Sequence, residues 1–360
     1  MLKKKISELL RYLSPVMINQ NFNSISIGLS NRFLLFRAIN ELDRKISDEP
    51  YLNFISVLKF YKILGRFLHG PIQDLYRDRN KLYFQNFFMD ESLYKLVRDD
   101  IEWVYAKNKE VKMTITKRGL IIYDNYRPNS FNVLLLTIHS GTWMPEDIEK
   151  TQIITRNQRL VEEDVDSHKL YCNLVLENNG IWIDNKSSRF TCDYNRAPDG
   201  AVIEDNTDRW VKHLWKQPIT KWQRRRLLKG YAEFYFTLGQ LIDTYRFNII
   251  FDAHSMRHAK GRPNISFGTK YIPSFYMPIV RSIQRKLINI GYHPVALNNP
   301  FHGGYILKWL NKRFPDIFIC SMEVNKRLYM SWDRRKSIEK RLNRIAKDIS
   351  TIFDISEDTE

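Results

Sequence analysis

The chain has 360 residues, 43% of them hydrophobic and 27% charged, the balance of a soluble globular protein. No stretch approaches the roughly 18–20 apolar residues that span a bilayer, so a membrane-spanning segment is excluded. A net charge of +17 invites nucleic acid or an anionic membrane as a partner, but charge alone specifies neither.

The length allows two compact units, or one large domain with an extension. The basic clusters Lys3-Lys-Lys5, Arg224-Arg-Arg226 and Arg334-Arg-Lys336 are short, and a charged run inside a helix is usually a solvated face. Nucleic acid is therefore not the expected partner. Leu9-Leu-Arg-Tyr-Leu13 is too short and too interrupted by charge for the apolar part of a signal peptide. Cys172, Cys192 and Cys320 are far apart with no C-x-x-C pair, which suggests neither a disulfide framework nor a thiolate zinc site. A cytoplasmic location is expected.

In chain order, residues 52–68 carry apolar side chains at helical spacing. Val111-Lys-Met-Thr-Ile-Thr116, Lys117-Arg-Gly119 and Leu120-Ile-Ile-Tyr123 read as a β-hairpin with a Gly-containing turn. The organisation changes near residue 125. Residues 1–125 are expected to form a mostly helical N-terminal region, and residues 126–360 a separate α/β domain. In the second part strands and helices alternate. Val133–Ile138, Ile181–Ile183, Phe247–Phe251, His293–Leu297 and Ile317–Met322 read as strands. Helix patterns cover about 160–178, 221–245, 274–290 and 333–353. This alternation predicts an α/β sandwich around a mixed, mostly parallel sheet, whose ligands bind beyond the carboxyl ends of the strands.

The polar residues after the buried strands follow that rule. His139-Ser-Gly-Thr142, Asp252-Ala-His254-Ser-Met256 and Glu323-Val-Asn325 each continue from a strand. Two neutral imidazoles and a carboxylate are the ligand set of an open catalytic zinc site, which points to His139 and His254 as ligands. Asp252 lies two residues before His254, on the same strand face, and is placed to orient its imidazole. Glu163 and Asp164 open the helix pattern at 160–178, and helical spacing does not separate them as the third ligand. Arg189, Asn195 and Arg196 form an anion-recognition set, since guanidinium presents a planar fork of donors. Gly303 and Gly304 suit a tight turn or a close backbone approach at the cleft.

Together, and in this order, several stretches resemble the N-formylglutamate amidohydrolase family. They are His139-Ser-Gly-Thr142, Glu163-Asp164, Ser188-Arg189 through Asp193-Tyr-Asn-Arg196, Asp252–Met256, Ile265–Thr269, Asn299–Tyr305, and Met322–Asn325 through Leu328-Tyr-Met330. The resemblance covers about 131–330 and implies a zinc exopeptidase-like three-layer sandwich holding one Zn2+ per chain. It implies His139 and His254 as zinc ligands, with Asp164 favoured over Glu163 as the acid. It implies Glu323 as general base, Arg189 as the group polarising the scissile carbonyl, and Asn195 and Arg196 as the binders of a substrate carboxylate. The implied reaction is hydrolysis of a small anionic N-acyl amino acid. A carboxypeptidase or peptidoglycan-type amidase would use the same machinery on a short peptide. A binding protein on an inactive hydrolase fold, engaging partners through its basic surface, is the reading from another class.

Overall fold

The computed structural model describes residues 90–116, 118–203, 214–333 and 336–353. The helix expected over 52–68, and most of the N-terminal region expected to be helical, lie outside the described residues.

The first described helix, α1 (Glu91–Lys107), starts where the Asp90 carboxylate accepts from the Ser92 and Leu93 amides. Its residues Leu93, Val97, Ile101 and Val104 recur at helical spacing, and all are buried. The expected hairpin follows as β1 (Lys112–Ile115) and β2 (Leu120–Asn125). Next come β3 (Val133–Thr137), the short helices α2 (Glu146–Glu149), α3 (Arg156–Glu162), α4 (Ser167–Tyr171) and α5 (Asn173–Leu176), and β4 (Gly180–Asn185). The remainder is α6 (Lys221–Thr244), β5 (Ile249–Met256), β6 (Ile265–Gly268), α7 (Met277–Ile290), β7 (Val295–Leu297), α8 (Tyr305–Arg313), β8 (Phe318–Asn325) and α9 (Glu339–Ser350).

The eight strands form one sheet in the order β1-β2-β4-β3-β5-β8-β6-β7. The central strands β4, β3, β5 and β8 are parallel. Antiparallel pairings join β2 to β4 and β6 to β8, so the sheet is mixed and mostly parallel, as expected. The hairpin precedes residue 126, and its second strand pairs with β4 along the whole length of both. The sheet thus takes strands from both sides of that position.

Side-chain alternation sends residues to two cores. Leu134, Leu136, Ile181, Ile183, Ile250 and Ile319 pack with Phe234, Leu238 and Leu241 of α6 and with Ile306, Leu307 and Leu310 of α8. On the other face Phe251 meets Tyr171 and Phe353, and α9 packs on α4 and α5. The result is a three-layer α/β/α sandwich. Among the described residues, no helix is long and apolar enough to cross a membrane. All three cysteines are free and buried.

Two expectations change in detail. The pattern at 160–178 is not one helix. α3 stops at Glu162, Glu163 turns extended, and Asp166 takes a left-handed conformation before α4 begins. Residues 163–166 therefore form a turn, with acidic side chains in place of a continuous helical stripe. In addition, β5 and β8 run on to Met256 and Asn325. Asp252, His254 and Glu323 are thus the last turns of pleat, not a loop after the strand.

A buried ion cluster ties α1 to the sheet. The Lys186 ammonium, only 1% exposed, lies 2.6 Å from Asp100 and 2.5 Å from Asp184. Burial opposes ionisation of Asp100, but Lys186 and His168 outweigh it and hold the carboxyl well below the usual carboxylate range. Removing one partner of a buried pair strands the other charge, at about 3–5 kcal/mol. Lys186→Met is expected to lower unfolding stability by that order in urea titrations at pH 7. Because the folded-state pKa of Asp100 is depressed, its contribution is present above the unfolded value of about 4. The gap between wild type and variant should therefore shrink as pH falls below about 4.

Candidate active site

The carboxyl ends of β3, β5 and β8 open into a cleft of about 420 Å³. His139, Asp164, Arg189, Asn195, Asp252, His254, Gly303, Gly304 and Glu323 all line it.

His139 reaches the cleft because its loop is laced to the end of β4. Ser140 Oγ donates to Thr137 O and to Asp184 Oδ1, and Asn185 Nδ2 donates to Ile138 O. At Gly141 a Cβ would lie 2.1 Å from the Lys186 carbonyl carbon, so the two chains approach this closely only because the residue is glycine. The same lacing continues through Ser188 N to Trp143 O and brings Arg189 to the cleft.

On β5, Asp252 and His254 occupy one face of the strand. His254 Nε2 lies 2.9 Å from Asp252 Oδ1. His254 Nδ1 lies 3.1 Å from Asp164 Oδ2. β8 pairs in register so that Glu323 stands directly beside His254. The turn after α3 carries Asp164 between the two histidines. Its amide donates to His139 O, and its Oδ2 accepts from Ser255 N.

The donor atoms of His139, Asp164 and His254 all lie within 4.8 Å of one another. His139 Nδ1, 3.8 Å from Asp164 Oδ2, is buried and makes no hydrogen bond. Burying an imidazole nitrogen without a partner is costly, and a metal ion would satisfy it. Two imidazoles and a carboxylate, each imidazole with another acid within 3 Å of its far nitrogen, match the donor set of open zinc sites. A second cluster, Asp100, His168 and Asp184, is similarly tight, but there Lys186 already supplies the cation.

Of the acidic pair, Asp164 joins the histidines and Glu163 turns away. The Glu163 carboxylate accepts from Arg159 at 3.2 Å and from the Ser188 hydroxyl. Burial pushes Glu163 up to about 7. Arg196 does not line the cleft. Its Nε lies 3.4 Å from Asp193 Oδ2. Asn195 is pinned to the start of α8, where its Oδ1 accepts from Ile306 N and its carbonyl from Tyr305 N. A Cβ on Gly304 would sit 2.0 Å from Asn195 Oδ1, so this contact needs glycine.

Sequence reasoning assigned no role to Asp193, which organises one side of the site. It is fully buried. Its Oδ1 lies 2.7 Å from His139 Nε2, and its Oδ2 lies 2.7 Å from Arg189 Nη2. Burial opposes its charge, yet Arg189 and His139 hold it well below the ordinary carboxylate range. The available signal was its position between two arginines, Arg189 and Arg196, but only the turn shows that all three meet.

Their surroundings push the two histidines in opposite directions. Burial, and then Arg189, push His139 down. Burial also acts against His254, but the Asp252 and Asp164 carboxylates overcome it and push His254 well up. In metal-free protein at pH 7, imidazole NMR is expected to show His139 neutral and His254 protonated at both nitrogens. Two rings titrating together near 6.5 would contradict this electrostatic asymmetry.

Comparison with known proteins agrees with this architecture. The family model described as N-formylglutamate amidohydrolase matches residues 131–330. A solved N-formylglutamate amidohydrolase from Ralstonia eutropha JMP134 is similar at 18% identity and a TM-score of 0.53, over 65% of this chain and 95% of that one. A gene product from Agrobacterium tumefaciens is similar at 14% identity and a TM-score of 0.49, over 66% and 95%. A metallo-carboxypeptidase from Pseudomonas aeruginosa follows at 12% and 0.31, over 67% and 60%. No curated protein matches the chain. At such identities the first likeness shows the fold alone.

Proposed function

Since this chain belongs to the N-formylglutamate amidohydrolase family, we propose that it is a zinc-dependent amidohydrolase cleaving N-acyl amino acids that carry a free carboxylate. The observation that carries this reading is the convergence of His139, Asp164 and His254, with an unpartnered Nδ1 on His139 and Glu323 standing beside His254. His139, Asp164 and His254 would hold the ion, which when bound supplies Lewis acidity toward water and an amide carbonyl.

The chain's own residues then divide the work. Burial pushes Glu323 up to about 7, a value suited to taking a proton from the attacking water and returning it to the departing nitrogen. Arg189, braced by Asp193, is placed to stabilise charge developing on the scissile carbonyl oxygen. Asn195 already spends its Oδ1 on the α8 amide, so it meets the substrate carboxylate through its Nδ2 donors, beside Gly303 and Gly304. Arg196, in contact with Asp193, adds positive charge from outside the cleft lining. Holding the carboxylate there aligns the amide with Glu323 and Arg189. The cleft has more room than a formyl group needs, so longer acyl groups belong in the substrate panel.

Metal analysis of the purified chain is expected to find about one zinc ion, the content of a single open site. Glu323→Gln should keep that zinc and lose about 10²–10⁴-fold in kcat. Zinc content with turnover only on peptides would move the substrate to the carboxypeptidase class. A chain that takes up no zinc after reloading would sink the metal reading. The wild-type kcat/KM should also rise with pH on its acid side, because Glu323 must be ionised to act as a base. Bound zinc favours the carboxylate, so this limb falls at or below about 7, and it should vanish in Glu323→Gln.

A further inference from the structure

Lys326 follows directly after β8, three residues past Glu323, and is completely buried. A buried ammonium is costly unless its donors are used. Its Nζ donates to Val161 O at 2.9 Å and also to Glu163 O. One turn further on, the buried Tyr329 donates its hydroxyl to Val165 O at 2.9 Å, and that hydroxyl lies 3.0 Å from Ser255 Oγ. Three alternate carbonyls, at 161, 163 and 165, are thus gripped by the first residue of one 3-10 turn, Lys326–Leu328, and by the residue just after it.

Asp164 stands in the middle of the gripped segment. The segment begins in the last residues of α3, and from Glu163 to Asp166 no regular helix or strand holds it. Its other backbone bonds are few: Glu163 N to Arg159 O, Val165 N to Glu163 O, Ser167 N to Asp164 O, and Asp164 N to the distant His139 O. The direction of the Asp164 carboxylate depends on the backbone path at these residues. A ring of contacts closes around it. Asp164 Oδ2 accepts from Ser255 N, Ser255 Oγ meets Tyr329, and Tyr329 grips Val165.

We propose that Lys326, assisted by Tyr329, is the positioning residue that fixes the Asp164 carboxylate against the ends of β5 and β8, and thereby sets the metal affinity of the site. This rests on reading His139, Asp164 and His254 as the metal ligands. The interaction is specific in form. A point charge with several rotatable donors serves two carbonyls at once, whereas an apolar side chain of the same length fills the space and serves neither.

The test uses the full-length chain with Lys326→Met and Tyr329→Phe. The second variant keeps its ring packing and covers the case in which the first does not fold. Zinc affinity is read by competition with a chromophoric chelator, and local order by amide hydrogen exchange in the metal-free protein. Lys326→Met is expected to weaken zinc binding about 10–100-fold, the range seen when the support of a ligand is lost. The Val165 and Ser167 amides should exchange faster, while those of β3 and β5 remain protected. Tyr329→Phe should shift both readouts in the same direction by less. Variants that bind zinc within about twofold of wild type, with these amides as protected as before, would overturn the proposal even if the melting temperature falls. Wild-type chain that binds no zinc would overturn the metal reading itself, and the affinity claim with it. Wild-type binding with unchanged variants defeats the positioning claim alone.

Discussion

Asp193 has no exposed surface, yet it takes His139 on one oxygen and Arg189 on the other. Charged groups this deep persist only when each has a partner of opposite sign at hydrogen-bonding distance. That requirement fixes the geometry. His139 must present its Nδ1 to the cleft, because Asp193 occupies its Nε2. Arg189 must lie along the same wall, because its guanidinium is needed to neutralise Asp193. Asp252 imposes the same rule on His254, so both rings turn the same edge toward Asp164.

The sheet makes this arrangement possible. Four parallel strands end on one side of the molecule, and their hydrogen-bond register sets His254 against Glu323 without any flexible linker. The flanking loops are then sewn to the sheet by close backbone contacts at Gly141 and Gly304. The buried Lys186 cluster repeats the logic further out, fastening α1 to β4 with charges that must stay paired. The basic net charge fits an anionic substrate without specifying one.

Much of this was legible in the sequence because buried parallel strands appear as short apolar runs, and the residues that follow them are confined to one rim of the sheet. His139, His254, Asp252 and Glu323 were found in this way, and the structure brings all four to one cleft. The family resemblance added the preference for Asp164. The hairpin at 112–125 was also readable from its turn, but not its place in the sheet, since pairing with β4 joins residues about sixty positions apart.

What the sequence determined by itself was therefore the α/β class, the strand ends and the residue types gathered there. Tertiary structure alone decided which acid faces the histidines. A continuous helix over 160–178 would leave Glu163 and Asp164 on adjacent stripes. Instead the helix stops at Glu162, and Asp164 turns inward while Glu163 goes to Arg159 and Ser188. The role of Asp193 and the contact of Arg196 with it were decided the same way. These outcomes follow from hydrogen bonds between residues far apart in the chain, and from the demand that every buried charge find its counterpart, neither of which local spacing encodes.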